Sequence, residues 1–110
     1  MTSLSSRSNP KIKQIRLLLQ QRKARRATGL FVVEGIRHVG EAIQSGAQLE
    51  YLCYAPELLT SEFAAHLIQE QAARGVLCLA VAAELFADLA EKDNPPGILA
   101  VVHQPSHSLE

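Results

Sequence analysis

Five consecutive apolar residues, Ile98-Leu99-Ala100-Val101-Val102, follow the turn-forming run Asp93-Asn94-Pro95-Pro96-Gly97. Side chains alternate between the faces of a sheet, so a strand apolar at every position has to be covered on both sides. That requirement predicts a three-layer α/β/α sandwich. The rest of the chain supplies the layers. Strands are expected at Phe31–Val33, Leu49–Tyr54 and Val76–Val81, and helices at 36–46, 62–74 and 83–90, after an opening helix from Pro10 to Arg22 or a little beyond. The result is a small four-stranded sheet in the order helix, strand–helix three times, strand. Helical connections favour parallel pairing, and the short last helix with its loop also permits one antiparallel strand.

Asn9-Pro10 is a helix start, since the amide side chain caps free N–H groups and proline loses nothing at the first helical position. Ile12, Ile15 and Leu19 form the docking stripe, and Lys13, Arg16, Gln20 and Lys23 form a neighbouring basic ridge. Thr60 or Ser61 caps the helix that follows, which is expected to bury Phe63, Leu67, Ile68 and Ala72. Gly46 and Gly75 are helix stops. Cys53 and Cys78 lie in apolar runs and read as core residues, too few for a disulfide framework or a zinc site.

The net charge is zero, yet it is unevenly spread. Up to Val33 the chain holds eight cations, Arg7, Lys11, Lys13, Arg16, Arg22, Lys23, Arg25 and Arg26, and no Asp or Glu. The remainder carries three cations and all 11 acidic residues, so +8 is followed by −8. A cationic segment without local acids points to a polyanionic partner. Aromatic residues are not interleaved with these cations, which favours phosphate and shape contacts to structured RNA over base stacking.

Other chemistries find no support. Gly35 and Gly40 have P-loop spacing, but Glu41 and Ala42 stand where Lys and Ser or Thr are needed. Three-glycine dinucleotide and aspartate-cluster phosphoacceptor patterns are missing. His38, His66, His103 and His107 are scattered without ligand spacing, and no cysteine has an activating base. Glu34 ends a strand beside Gly35, where it either serves function or caps the next helix. Arg37 is placed to pair with Glu34 or to face a phosphate.

Three blocks carry a family resemblance: Asn9-Pro10-Lys11-Ile12-Lys13, Phe31-Val32-Val33-Glu34-Gly35-Ile36-Arg37 with Glu41-Ala42, and Asn94-Pro95-Pro96-Gly97-Ile98-Leu99-Ala100-Val101-Val102. Together they resemble the N-terminal substrate-binding domain of SpoU (TrmH) RNA ribose methyltransferases. The resemblance implies an α/β/α fold like that of small ribosomal proteins that bind kink-turn RNA. It further implies that the domain grips structured RNA, ribosomal by expectation, for a following knotted SPOUT domain. That second domain dimerises, binds S-adenosylmethionine and methylates a ribose 2′-hydroxyl. By position, Asn9, Lys13, Glu34 and Arg37 would face the RNA. Arg7, Lys11, Arg16, Arg22, Lys23, Arg25 and Arg26 join them on electrostatic grounds.

The expected organisation is an arm over residues 1–8, an RNA-binding domain over 9–103, and a linker start or cloning scar over 104–110. The catalytic domain would then be absent, and the fragment is expected to be inactive alone, with no cofactor or metal of its own. No apolar stretch is long enough for a membrane, and the polar start fits a cytoplasmic protein. A stand-alone ribosome-associated module of the same fold is the alternative, and a protein-interaction domain with an incidental basic helix is the third reading.

Overall fold

The computed structural model describes residues 8–90 and 95–105, so Arg7, the turn residues Asp93 and Asn94, and the chain's last five residues lie outside it. Helix α1 spans Pro10–Gln20, and the Asn9 Oδ1 accepts from the backbone N–H of Lys11 at 2.9 Å and of Ile12 at 3.4 Å. The helix stops earlier than its sequence predicts. Gln21 is extended (φ −126°, ψ 117°), and a second helix, α2, runs from Arg22 to Thr28. No proline or glycine marks this break. The arginine-rich α2 has only Ala24 to pack on the core, and the bend brings the chain back to the sheet. The buried stripe of α1 is accordingly Ile12, Ile15 and Leu18, with Leu19 at its margin.

The sheet is built from β1 (Leu30–Glu34), β2 (Leu49–Tyr54), β3 (Leu77–Ala80) and β4 (Ile98–His103), in the spatial order β1-β4-β2-β3. β2 and β3 pair in parallel, whereas β4 is antiparallel to both of its neighbours. Of the parallel pairing that helical connections favour only β2–β3 is seen, and β4 is the one antiparallel strand that the short last helix and its loop permitted. The one antiparallel strand is also the most apolar, and it occupies a central slot where both its edges and both its faces are covered. Its residues feed two cores. Leu99 and Val101 join Tyr51 and Cys53 beneath α1 and α5 (Ala83–Ala90). Ile98, Ala100 and Val102 join Leu52 beneath α3 (Ile36–Gln44) and α4 (Glu62–Ala73). The three-layer sandwich is confirmed.

Ser61 caps α4, its hydroxyl accepting from Ala64 N–H at 3.3 Å. The buried face of α4 is Ala64, Leu67 and Gln71, which corrects the expected one: Phe63 is 56% exposed, Ala72 is exposed and Ile68 is half-buried. The buried arc is the middle of the expected one, and its two margins, Phe63 and Ala72, fall outside the contact with the sheet.

At the C-terminal end of β1, Gly35 N–H donates to Ile98 O at 2.9 Å, and Ala55 N–H donates to Gly97 O at 2.9 Å. Gly97 has φ +83°, and a Cβ there would lie 3.0 Å from Leu58 Cβ and 3.1 Å from Leu59 Cδ2. Left-handed strain and overpacking act together, so Gly97→Ala is expected to destabilise the fold by about 2–4 kcal/mol. Urea unfolding measures this, and a loss below about 0.5 kcal/mol, ordinary for a surface change, would contradict it.

Candidate nucleic-acid interface

The cations of the first third fall into two groups once folded. Some are committed to the protein. Lys11 Nζ lies 4.8 Å above the centroid of the fully buried Tyr51 ring, a cation–π contact. Tyr51 in turn donates its hydroxyl to Gln14 Oε1 at 2.7 Å and lies 3.1 Å from Lys11 O, so it fastens α1 to the sheet. Arg16 Nη2 reaches Asp88 Oδ2 on α5 at 3.0 Å, with both side chains about one-third exposed. The long-range acid Asp88 thus supplies a partner that the local sequence lacks. Arg25 Nη1 donates to Leu18 O at 2.6 Å, satisfying a carbonyl orphaned by the break at Gln21.

The other group faces water. Lys13 on α1 and Arg22, Lys23 and Arg26 on α2 are exposed, and none forms an ion pair with a described residue. Arg26 also lies in the last turn of α2, where a cation meets the negative end of the helix dipole. α2 ends at Gly29 (φ +71°), whose N–H donates to Arg25 O at 2.9 Å. Thr28 Oγ1 donates to Ala24 O and accepts from Leu30 N–H, linking α2 directly into β1. Between the two helices and β1 runs a groove of about 310 Å³, lined by Leu18, Leu19, Arg25, Phe31 and Val32.

Asn9 opens α1 itself, whereas Glu34 and Arg37 lie elsewhere. The Asn9 side-chain oxygen is occupied as the α1 cap. Glu34 ends β1 with its Oε1 buried, next to Gly35, the N-cap of α3. Arg37 sits on α3, across the sheet from α1, and pairs with Glu41 at 3.5 Å instead of Glu34. The interface cations are therefore on one layer and Arg37 on the other. Sequence reasoning missed Tyr51, Gln14 and Asp88 as supports; a tyrosine inside an apolar strand was the available signal for the first.

Among the described residues no three His, Cys, Asp or Glu side chains group as metal ligands, and no helix is long and apolar enough to cross a membrane. His38 Nδ1 is 3.2 Å from Glu34 O, and His103 Nε2 is 2.6 Å from Glu50 Oε1. Burial pushes the Cys53 thiol from 9.0 up to about 12, and burial also raises Cys78 and Tyr51. Both thiols are thus protonated at neutral pH and poorly nucleophilic. Above pH 9 an unfolded chain releases the Cys53 proton while the folded one keeps it. Stability should then fall with rising pH between about 9 and 12, by up to ~1.4 kcal/mol per unit from this group. Urea midpoints measured across that range should flatten in Cys53→Ala; an unchanged slope would show that the thiol is not responsible.

The fold is a three-layer sandwich with a cationic helical pair on one layer. Residues 9–100 match the MRM3-like substrate-binding domain, and the chain belongs to that family. It is 30% identical over 103 residues to the 23S rRNA (uridine(2479)-2′-O)-methyltransferase of Streptomyces viridochromogenes, covering 93% of this chain and 35% of that protein. Among solved structures it is similar to the AdoMet-bound rRNA methyltransferase of Sinorhizobium meliloti, with TM-score 0.76, 29% identity and coverage of 94% and 37% of the two chains. The SpoU methyltransferase AviRb of Streptomyces viridochromogenes, in complex with AdoMet, gives TM-score 0.74, 28% identity, and coverage of 92% and 35%. The chain spans little more than a third of the length of these relatives. The SpoU resemblance read from the sequence is thereby established.

Proposed function

We propose that this domain holds structured RNA, ribosomal in origin, for an S-adenosylmethionine-dependent RNA 2′-O-ribose methyltransferase of the SpoU type acting in the cytoplasm. Residues 9–103 form the recognition unit; residues 1–7 and 106–110, on which most of the arm and of the linker or cloning scar read from the sequence falls, lie outside the described residues. On this reading methyl transfer and dimerisation belong to the parent protein outside residues 9–103. What the domain supplies is grip and placement.

The observation that carries this reading is the set Lys13, Arg22, Lys23 and Arg26, four solvent-facing cations on consecutive helices. Each phosphate they neutralise releases condensed counterions. Phosphate contacts of this kind fix position without reading sequence, which suits recognition of a folded RNA by shape. The test is binding of the purified chain to a folded rRNA fragment across a salt series. The expected slope of log K against log salt is about −3, four contacts at roughly −0.7 to −0.9 each. No affinity for folded RNA at low salt would refute the assignment. The same chain should transfer no methyl group and show no heat of S-adenosylmethionine binding in calorimetry.

A further inference from the structure

The layer opposite the cationic helices carries a feature that RNA recognition leaves unused. Phe63, in the first turn of α4, stands 56% exposed, although the described part of the chain leaves only two other large apolar side chains so open. Its ring rests on α3 at Gly40, where a Cβ would come within 3.5 Å of the ring Cζ. A glycine inside a helix costs about 1 kcal/mol relative to alanine. Here it leaves room for the ring to seat. Grooves of about 440 and 120 Å³ flank the ring, reaching Ile36 on one side and Leu67 on the other. The surrounding charge is acidic: Glu41, Glu62 and Glu70 are exposed, and the nearby Arg37 is paired with Glu41.

The opposite layer presents the complement. Leu17 on α1 is 45% exposed, one helical turn beyond Lys13 and just before the cations of α2. One layer is thus an apolar side chain among cations, and the other an apolar ring and groove among carboxylates. The first third of the chain carries +8 and the remainder −8, so each molecule displays both members of a matched pair. Opposed potentials steer such surfaces together, and the apolar side chains reward contact.

We propose that the Phe63 face of one molecule docks the Leu17-bearing α1–α2 face of a second copy. The two faces lie on opposite sides of the sheet, so the contact is head-to-tail and grows chains instead of closing into a symmetric dimer. It also hides the cations assigned to RNA. RNA and self-association are then mutually exclusive, a consequence that rests on the proposed function.

Sedimentation velocity of the full chain tests the docking without RNA. At about 20 mM salt the average mass should rise with protein concentration, and at about 0.5 M, where screening is short-ranged, it should return to the 12.0 kDa monomer. Phe63→Ser should abolish association at low salt with an unchanged circular dichroism spectrum. The pairs Lys13→Glu with Lys23→Glu, and Glu62→Lys with Glu70→Lys, should each be monomeric alone. Mixing the two charge-reversed proteins should restore the complex, because each then offers the other a matching face. A monomer at every concentration would overturn the proposal. So would a closed dimer indifferent to Phe63→Ser or to reversal of Lys13 and Lys23. A monomer whose Phe63 face captures a basic peptide would assign that face to another protein, and would overturn the second copy as its occupant. Added folded RNA should disperse the oligomer. Persistence of the wild-type oligomer in saturating RNA would count against the RNA assignment while leaving the docking in place.

Discussion

Reversing Lys13, Arg22, Lys23 and Arg26 to glutamate together is expected to abolish RNA binding at physiological salt. Each contributes roughly −0.7 to −0.9 to the salt slope, so losing four flattens the slope by about 3. At ~0.1 M salt that corresponds to an affinity loss on the order of a thousandfold. The fold should survive, since these side chains are exposed and carry no ion pair to a described residue. Arg37→Ala serves as the control. Its guanidinium lies on α3, on the far layer, and its removal should leave the slope unchanged. An unaltered slope in the quadruple variant, or an equal loss in Arg37→Ala, would move the interface off α1 and α2. Filter binding over a salt series with circular dichroism on each variant separates these outcomes.

Tyr51→Ala is expected to have the largest effect on stability. The ring is fully buried between α1 and the sheet, and truncating an aromatic in such a site costs about 3–5 kcal/mol. It also removes the hydroxyl donor to Gln14 and the surface over which the Lys11 ammonium sits. Tyr51→Phe keeps the ring and should cost only about 1 kcal/mol, the ordinary worth of one hydrogen bond. Chemical unfolding distinguishes the two. Because α1 carries part of the cationic surface, Tyr51→Ala should also weaken RNA binding more than its lack of charge predicts, whereas Tyr51→Phe should not. Equal stability of the two variants would mean that the ring itself is not what holds α1.

Much of this architecture is local in origin and so was legible in the residue string. The strand Ile98–Val102 demanded cover on two faces, Asn9-Pro10 announced a helix start, and Ser61 was one of two caps proposed for α4. Signals of this kind act within a few residues, through side-chain alternation, capping and fixed φ. The motif blocks carried the family for the same reason. The break at Gln21 had no such mark, because what ends α1 is the need to return to the sheet, not a breaker residue. α4 was read with Phe63 inward because its apolar residues spread over half the helix circumference, wider than the face that is buried. Packing kept only the centre of that arc, Ala64, Leu67 and Gln71.

The sequence by itself determined that this chain folds as helices on both faces of a four-stranded sheet, and that its positive charge is gathered in its first third. Only the tertiary structure decided which positive charges stay available. Asp88, Leu18 O and the Tyr51 ring, brought up by folding, engage Arg16, Arg25 and Lys11, and leave Lys13, Arg22, Lys23 and Arg26 to solvent. The physical reason is range: charge is a property of a residue, but the partner that occupies it stands 72 positions away for Arg16 and 40 for Lys11.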